Sequence, residues 1–99
     1  MNFRIRLQSQ LQFDLVEAYD GCERRSNGLG ERLREDFEMA LGRIGADPFA
    51  YPCAGNGYRK IRLKRFPYSI FCTVMGNEIQ VCAFLHARRE PKEWRKRFP

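Results

Sequence analysis

Lys60, Arg62 and Lys64 recur at every second residue of the segment Arg59-Lys60-Ile61-Arg62-Leu63-Lys64-Arg65, with Ile61 and Leu63 between them. Alternation at period two is the pattern of a strand with one buried face, so it predicts a row of cations along one side of a stiff ribbon. Such a row suits phosphates. Further along, His86-Ala87-Arg88-Arg89-Glu90 sets the lone imidazole of the chain beside two more cations. Positive charge is sorted along the sequence. Residues 59–99 carry eleven Lys/Arg against three Asp/Glu, net +8, whereas residues 1–58 carry seven against nine, net −2. This asymmetry points to a nucleic-acid or acidic partner, although a basic surface also serves simply to keep a protein in solution.

Ninety-nine residues suit one domain, spanning 1–99, that buries about two-thirds of the surface its unfolded chain exposes. At 43% hydrophobic and 13% aromatic the composition is that of a folded chain, with no low-complexity tract or internal repeat. No apolar run approaches the ~20 residues of a membrane span. The alternating charges of Met1-Asn2-Phe3-Arg4-Ile5-Arg6-Leu7 also lack the apolar stretch of a signal peptide, so a cytoplasmic location without a membrane partner is expected. Cys22, Cys53, Cys72 and Cys82 have no CxxC or other metal-ligand spacing, and His86 alone cannot complete a zinc set. Reduced thiols, no metal and no organic cofactor are the expectation.

The elements that must position these residues begin with a half-buried strand over Phe3, Ile5 and Leu7. Ser9-Gln10-Leu11-Gln12 fits an S-x-x-Q capping box, and Leu11, Leu15, Ala18, Tyr19 and Cys22 follow at helical spacing. Ser26-Asn27-Gly28 breaks that helix. A second starts near Leu29, with Leu33, Phe37, Ala40, Leu41 and Ile44 on one stripe and Gly45 where a left-handed cap would end it. Residues 47–57 read as a loop, and three strands should follow up to His86. Gly76-Asn77 fits a II′ turn, which sets Met75 opposite Glu78, Cys72 opposite Val81 and Ile70 opposite Ala83. In that register Tyr68, Ile70, Cys72, Val74, Ile79, Val81, Ala83 and Leu85 face the helices. Phe71, Phe84 and His86 then share the open face with Lys60, Arg62 and Lys64. Pro91, Trp94 and Phe98 suggest a short C-terminal helix. The expected class is α+β: an N-terminal strand, an α-helical hairpin and a three-stranded antiparallel meander (β-α-α-β-β-β) with a short C-terminal helix.

In this order of elements, the segments from Tyr58 to Phe71 and from Leu85 to Trp94 resemble the RelE/ParE toxins of bacterial type II toxin–antitoxin modules, of the plasmid stabilisation type and closer to ParE-like members. The resemblance spans nearly the whole chain. It includes the Asp14-Leu15 pair, Pro48 and Pro52, and the ending His-x-Arg-Arg-acid-Pro-x-x-Trp at residues 86–94.

The family divides in mechanism. RelE-like members cut messenger RNA at the ribosome, and ParE-like members act on DNA gyrase. Cutting requires that the 2′-hydroxyl be deprotonated, the phosphorane charge stabilised and the leaving 5′-oxygen protonated. The resemblance implies catalytic roles for Lys60, Arg62 and Arg88. Two positions depart from the cutting pattern: Ser69 stands where those members place an arginine after the strand tyrosine, and Trp94 stands where they place a late tyrosine. His86 could supply proton transfer, or serve as a structural hydrogen-bonding residue. Lys64, Arg65, Arg89 and Trp94 are candidates for binding nucleic acid or another target; Trp94 could stack on a base or anchor its helix. The leading expectation is a ParE-like, growth-inhibiting toxin acting by binding, with a ribosome-dependent mRNA endonuclease and a non-toxic relative as alternatives. A cognate antitoxin is the implied partner, and the free protein is expected to be a monomer or weak dimer.

Overall fold

The computed structural model describes residues 3–97, apart from the side chains of Pro91, Trp94 and Arg95. Strand β1 (Arg4–Leu7) leads into helices α1 (Ser9–Arg25) and α2 (Leu29–Ala46), then a 3-10 turn at Pro48–Ala50. Strands β2 (Cys53–Gly55), β3 (Tyr58–Arg62), β4 (Tyr68–Met75) and β5 (Glu78–His86) follow, and helix α3 (Glu90–Arg97) comes last. The strands form one sheet in the order β1-β5-β4-β3-β2. Strands β3, β4 and β5 are the expected antiparallel meander, and β1 lies parallel to β5, Arg4 opposite Glu78 and Leu7 opposite Val81. The α+β class and the helical hairpin therefore stand as read from the sequence. Among the described residues no helix is long and apolar enough to cross a membrane.

The hairpin packs on one face of the sheet because its apolar stripes have nowhere else to go. Leu11, Ala18 and Cys22 of α1 and Leu33, Phe37, Ala40 and Ile44 of α2 meet Ile61, Ile70, Cys72, Ile79 and Val81 in one buried cluster. Each large aliphatic or aromatic side chain buried there contributes about 1.5–3 kcal/mol. The helix ends differ from expectation. Gln8, in extended backbone, precedes α1 without a side-chain cap; Ser9 is already helical, and Gln12 reaches back to the Leu7 carbonyl at 3.4 Å, so no capping box forms. Helix α2 runs through Gly45 to Ala46. That glycine answers a close approach instead of a turn, since a Cβ there would lie 3.2 Å from Cδ1 of Ile5. Glu23 caps the start of α2 by accepting the N–H groups of Gly28 and Gly30 at 3.3 and 2.6 Å.

Residues 47–57 are more ordered than a loop. Asn56 (φ 52°) and Gly57 (φ 79°) both adopt left-handed backbone, the requirement of a two-residue I′ turn, and they join β2 to β3 as a hairpin with Gly55 opposite Tyr58. The second turn is as expected: Gly76 has φ 63° and Met75 lies opposite Glu78.

A β-bulge in β5 overturns half of the expected face assignment. Cys72 pairs with Val81 and Phe71 with Ala83, which leaves Cys82 as an extra residue; Ile70 consequently lies opposite Phe84 and not Ala83. One inserted residue exchanges the faces of everything beyond it. Phe84 turns into the core, 5.2 Å from the Phe37 ring and stacked on Tyr68 at 4.8 Å. Ala83 and Leu85 move to the other face, where they form a second buried cluster with Phe71. The gain that favours the bulge is the burial of an aromatic ring in place of a methyl group.

Candidate functional site

Two ranks of residues cross the sheet on the face away from the hairpin. Lys60 lies opposite Phe71, itself opposite Ala83; Arg62 lies opposite Ser69, itself opposite Leu85. Lys60 and Arg62 thus share one side of β3, as the alternation requires, with Ile61 buried between them on the other. They differ in freedom. Arg62 is exposed, whereas Lys60 is half-buried and its Nζ is ion-paired with Glu90 at the start of α3. Helix α3 packs on β5 and its Arg97 reaches α1, so the chain's own last helix limits the open surface expected around Lys60.

The remaining cations collect at one end of the sheet. Lys64 and Arg65 are exposed on the β3–β4 turn, and Arg88 and Arg89 are exposed just after β5. Three hydrogen bonds fix this end: Leu63 N–H to the Tyr68 carbonyl at 3.0 Å, Ala87 N–H to the Pro67 carbonyl at 2.8 Å, and Arg65 N–H to Asp36 Oδ2 at 2.9 Å. The Arg89 side chain is engaged by Glu17 at 2.9 Å.

His86 is not on the face of Lys60 and Arg62. The bulge places it on the hairpin side, edge-on to Tyr68 at 5.1 Å, in a cleft of about 280 Å³ with Asp14 and Glu17 of α1. Its Nδ1 accepts the Arg88 N–H at 3.0 Å, which uses one ring nitrogen structurally. Burial pushes the Tyr68 phenol above its ordinary value of 10.0, so it stays protonated. The side chain of Trp94, and the expected Trp94–Phe98 stripe, lie outside the described residues. Among the described residues no group of three or more His, Cys, Asp or Glu is placed to hold a metal ion.

Asp14, Asp36 and Glu90 organise the region; the sequence assigns Asp14 and Asp36 no partner and points to Arg88 or Arg89 for Glu90, which pairs with Lys60 instead. Asp14 binds Arg97 and also accepts the Phe84 N–H at 3.1 Å. A signal existed: Asp14 follows Leu11 by three residues and Asp36 follows Leu33 by three, so each carboxylate sits on an apolar, inward stripe. A buried acid there must find a partner.

No protein-family model and no curated protein matches the chain at the level of sequence. Solved structures do match in three dimensions. The chromosomal ParDE toxin–antitoxin system of P. aeruginosa superposes with TM-score 0.76 at 19% identity, covering 85% of this chain and 95% of that one. The E. coli toxin RelE, as a double arginine-to-alanine mutant in the free state, gives 0.72 at 18% identity over 100% of both chains. The RelBE2 toxin–antitoxin complex of Mycobacterium tuberculosis gives 0.62 at 15%, covering 87% and 99%. Over these lengths the overall shape matches, and the chain has the fold of the RelE/ParE toxins.

Proposed function

We propose that the chain is the toxin of a type II toxin–antitoxin module, of the ParE-like kind, which inhibits an essential nucleic-acid-processing target, DNA gyrase, by binding it. The observation that carries this reading is the position of His86. A cleaving site must bring base, charge clamp and acid to one phosphodiester, each within about 3 Å of the atom it serves. Here His86 faces the hairpin while Lys60 and Arg62 lie on the opposite side, Ser69 is buried beside Arg62, and Lys60 is held by Glu90. Trp94 has no hydroxyl with which to move a proton. What remains accessible is a cationic end made of Arg62, Lys64, Arg65 and Arg88, which suits attachment to an acidic protein surface or a phosphate backbone.

A cognate antitoxin is part of the same proposal. Phe13 and Val16 on α1 and Met39 on α2 are 73%, 59% and 59% exposed, apolar side chains that both helices of the hairpin leave in solvent. Exposed apolar side chains on the helices suit a partner segment that wraps them and meets the cations with acidic residues. Similar folds in the structures named above are solved as toxin–antitoxin complexes.

Expression of the chain without an antitoxin tests the proposal. Inhibition of gyrase predicts broken DNA, filamentous cells and translation that continues at first. Truncated messages with immediate translation arrest would favour the endonuclease reading, which draws its support from Lys60 and Arg62 sharing a face. Harmless expression would mark a relative that keeps the fold without toxicity.

A further inference from the structure

A small hollow lies between the end of α1, the start of α2, the β3–β4 turn and the end of β5, and we propose that it receives the carboxyl-terminal residue of a partner polypeptide, with an apolar side chain seated inside and the α-carboxylate held by Arg25. The hollow measures about 170 Å³. That is well below the ~300 Å³ at which pockets for whole small molecules begin, and it suits a single side chain. Cys22, Leu29, Phe66 and Pro67 supply its apolar walls. Burial pushes the Cys22 thiol above its ordinary value of 9.0, so the wall stays neutral at that point.

Polar groups converge at the rim. Arg25 ends α1, is exposed, and forms no side-chain ion pair or hydrogen bond among the described residues. Tyr68 and His86 close the side toward the sheet, the imidazole edge-on to the phenol ring at 5.1 Å. Because the Arg88 N–H occupies Nδ1, Nε2 is the polar atom His86 has left for a ligand. The Tyr68 phenol keeps its proton and is a donor. A chain end carries its last side chain and its carboxylate on one carbon, so a single residue reaches the apolar walls and the guanidinium together. An internal acid needs a second residue to fill the hollow.

Charge places the carboxylate. The larger cleft that shares Tyr68 and His86 with this hollow is flanked by five charges of alternating sign. Glu17 meets Arg89 at 2.9 Å, Arg89 meets Glu93 at 4.0 Å, Glu93 meets Arg97 at 3.5 Å, and Arg97 meets Asp14 at 2.6 Å. Three acids against two cations leave that side with a net charge of −1, which turns an anion away from it. Glu23, beside the hollow on α1, is taken by the N–H groups of Gly28 and Gly30. Among the described residues lining the hollow, Arg25 is the one that carries a fixed charge, and it is positive. None of Arg62, Lys64, Arg65 and Arg88 lines the hollow, so the inference stands apart from the cationic end.

The chain has one histidine, so the His86 imidazole gives an unambiguous NMR signal. Titration with an acetylated trialanyl-leucine peptide bearing a free carboxylate should shift that signal, and the same peptide as its carboxamide should bind at least about tenfold more weakly. Arg25→Gln should weaken the free acid by a similar factor, leave the carboxamide unchanged and keep the unfolding midpoint. Gly21 also lines the hollow, and a Cβ there meets nothing closer than Arg24 Nη2 at 3.8 Å. Gly21→Met should therefore fill the hollow in a folded protein and weaken the free acid at least about tenfold. Arg62→Glu should leave peptide binding unchanged even if it abolishes toxicity. The proposal is overturned by an unmoved His86 signal, by equal binding of acid and carboxamide, by a 5′-phosphorylated dinucleotide binding more tightly than the peptide, by Gly21→Met leaving binding intact, or by Arg62→Glu weakening it as much as Arg25→Gln.

Discussion

Asp14 and Arg97 stand 83 residues apart in the chain and meet in a two-pronged ion pair, Nη1 to Oδ2 at 2.6 Å and Nη2 to Oδ1 at 2.9 Å. The same Oδ2 accepts the Phe84 N–H. Strand β1 stops at Leu7, opposite Val81, so the edge of β5 beyond that point has no neighbouring strand. One carboxylate therefore completes the sheet edge and also ties α3 to α1.

Asp14→Ala removes both functions. The two side chains are 9% and 19% exposed, and breaking a pair this covered while orphaning an N–H should cost about 3 kcal/mol in urea unfolding. Asp14→Asn keeps an oxygen for the Phe84 N–H and should cost about half as much. Hydrogen exchange at the Phe84 amide should accelerate in the alanine variant and barely change in the asparagine one. A loss below about 1 kcal/mol for the alanine variant would mean that this junction contributes little to holding α3.

Lys60 and Arg62 should separate in their effects on folding. Arg62→Glu alters an exposed site, with an expected change within about 0.5 kcal/mol. Lys60→Glu sets a carboxylate against Glu90, and a loss of about 1 kcal/mol is expected. Thermal unfolding of the two single variants checks this; equal midpoints would mean that the pair with Glu90 has no energetic weight.

Asp36 holds the turn that presents Lys64 and Arg65. It is 3% exposed and accepts the Arg65 N–H at 2.9 Å. Asp36→Ala should therefore cost about 1–3 kcal/mol and raise exchange at the Arg65 amide. Asp36→Asn, which can still accept, should recover most of that loss.

The thiols should divide by burial. Desolvation pushes Cys72 from its ordinary value of 9.0 up to about 11, and burial raises Cys22 and Cys82 as well, whereas Cys53 is exposed. At pH 8 a thiol reagent should label Cys53 alone in the folded protein. Because folded Cys72 keeps its proton longer than the unfolded chain does, its contribution is complete below pH 9 and fades as the pH rises from 9 to about 11. Unfolding measured across that range should lose about 2 kcal/mol from this group, and Cys72→Ala should remove that part of the slope.

The sequence made the strand and helix order readable because period-two and period-3.6 patterns are local. The cation row of β3 was readable for the same reason, as was the Gly76 turn. Asn56-Gly57 carried an equally local signal, but surrounding Pro and Gly content obscured the short β2 beside it. The side on which His86 lies was not readable. Nothing near Cys82 announces an extra residue; its insertion is decided by whether Phe84 can reach Phe37 and Tyr68, which belong to distant segments. The pairing of Lys60 with Glu90 was hidden similarly, since α3 returns across a sheet that must already exist.

The parallel union of β1 with β5 bears on the order of events during synthesis. Arg4 meets Glu78, so the first strand waits for most of the polypeptide before it finds its place, and pairings of such separation slow folding. A nascent chain still inside the translating machinery holds an unfinished sheet. If this protein harms the cell that makes it, that harm begins only once β5 has been made and β1 has docked on it, and a waiting binder has that interval in which to capture it.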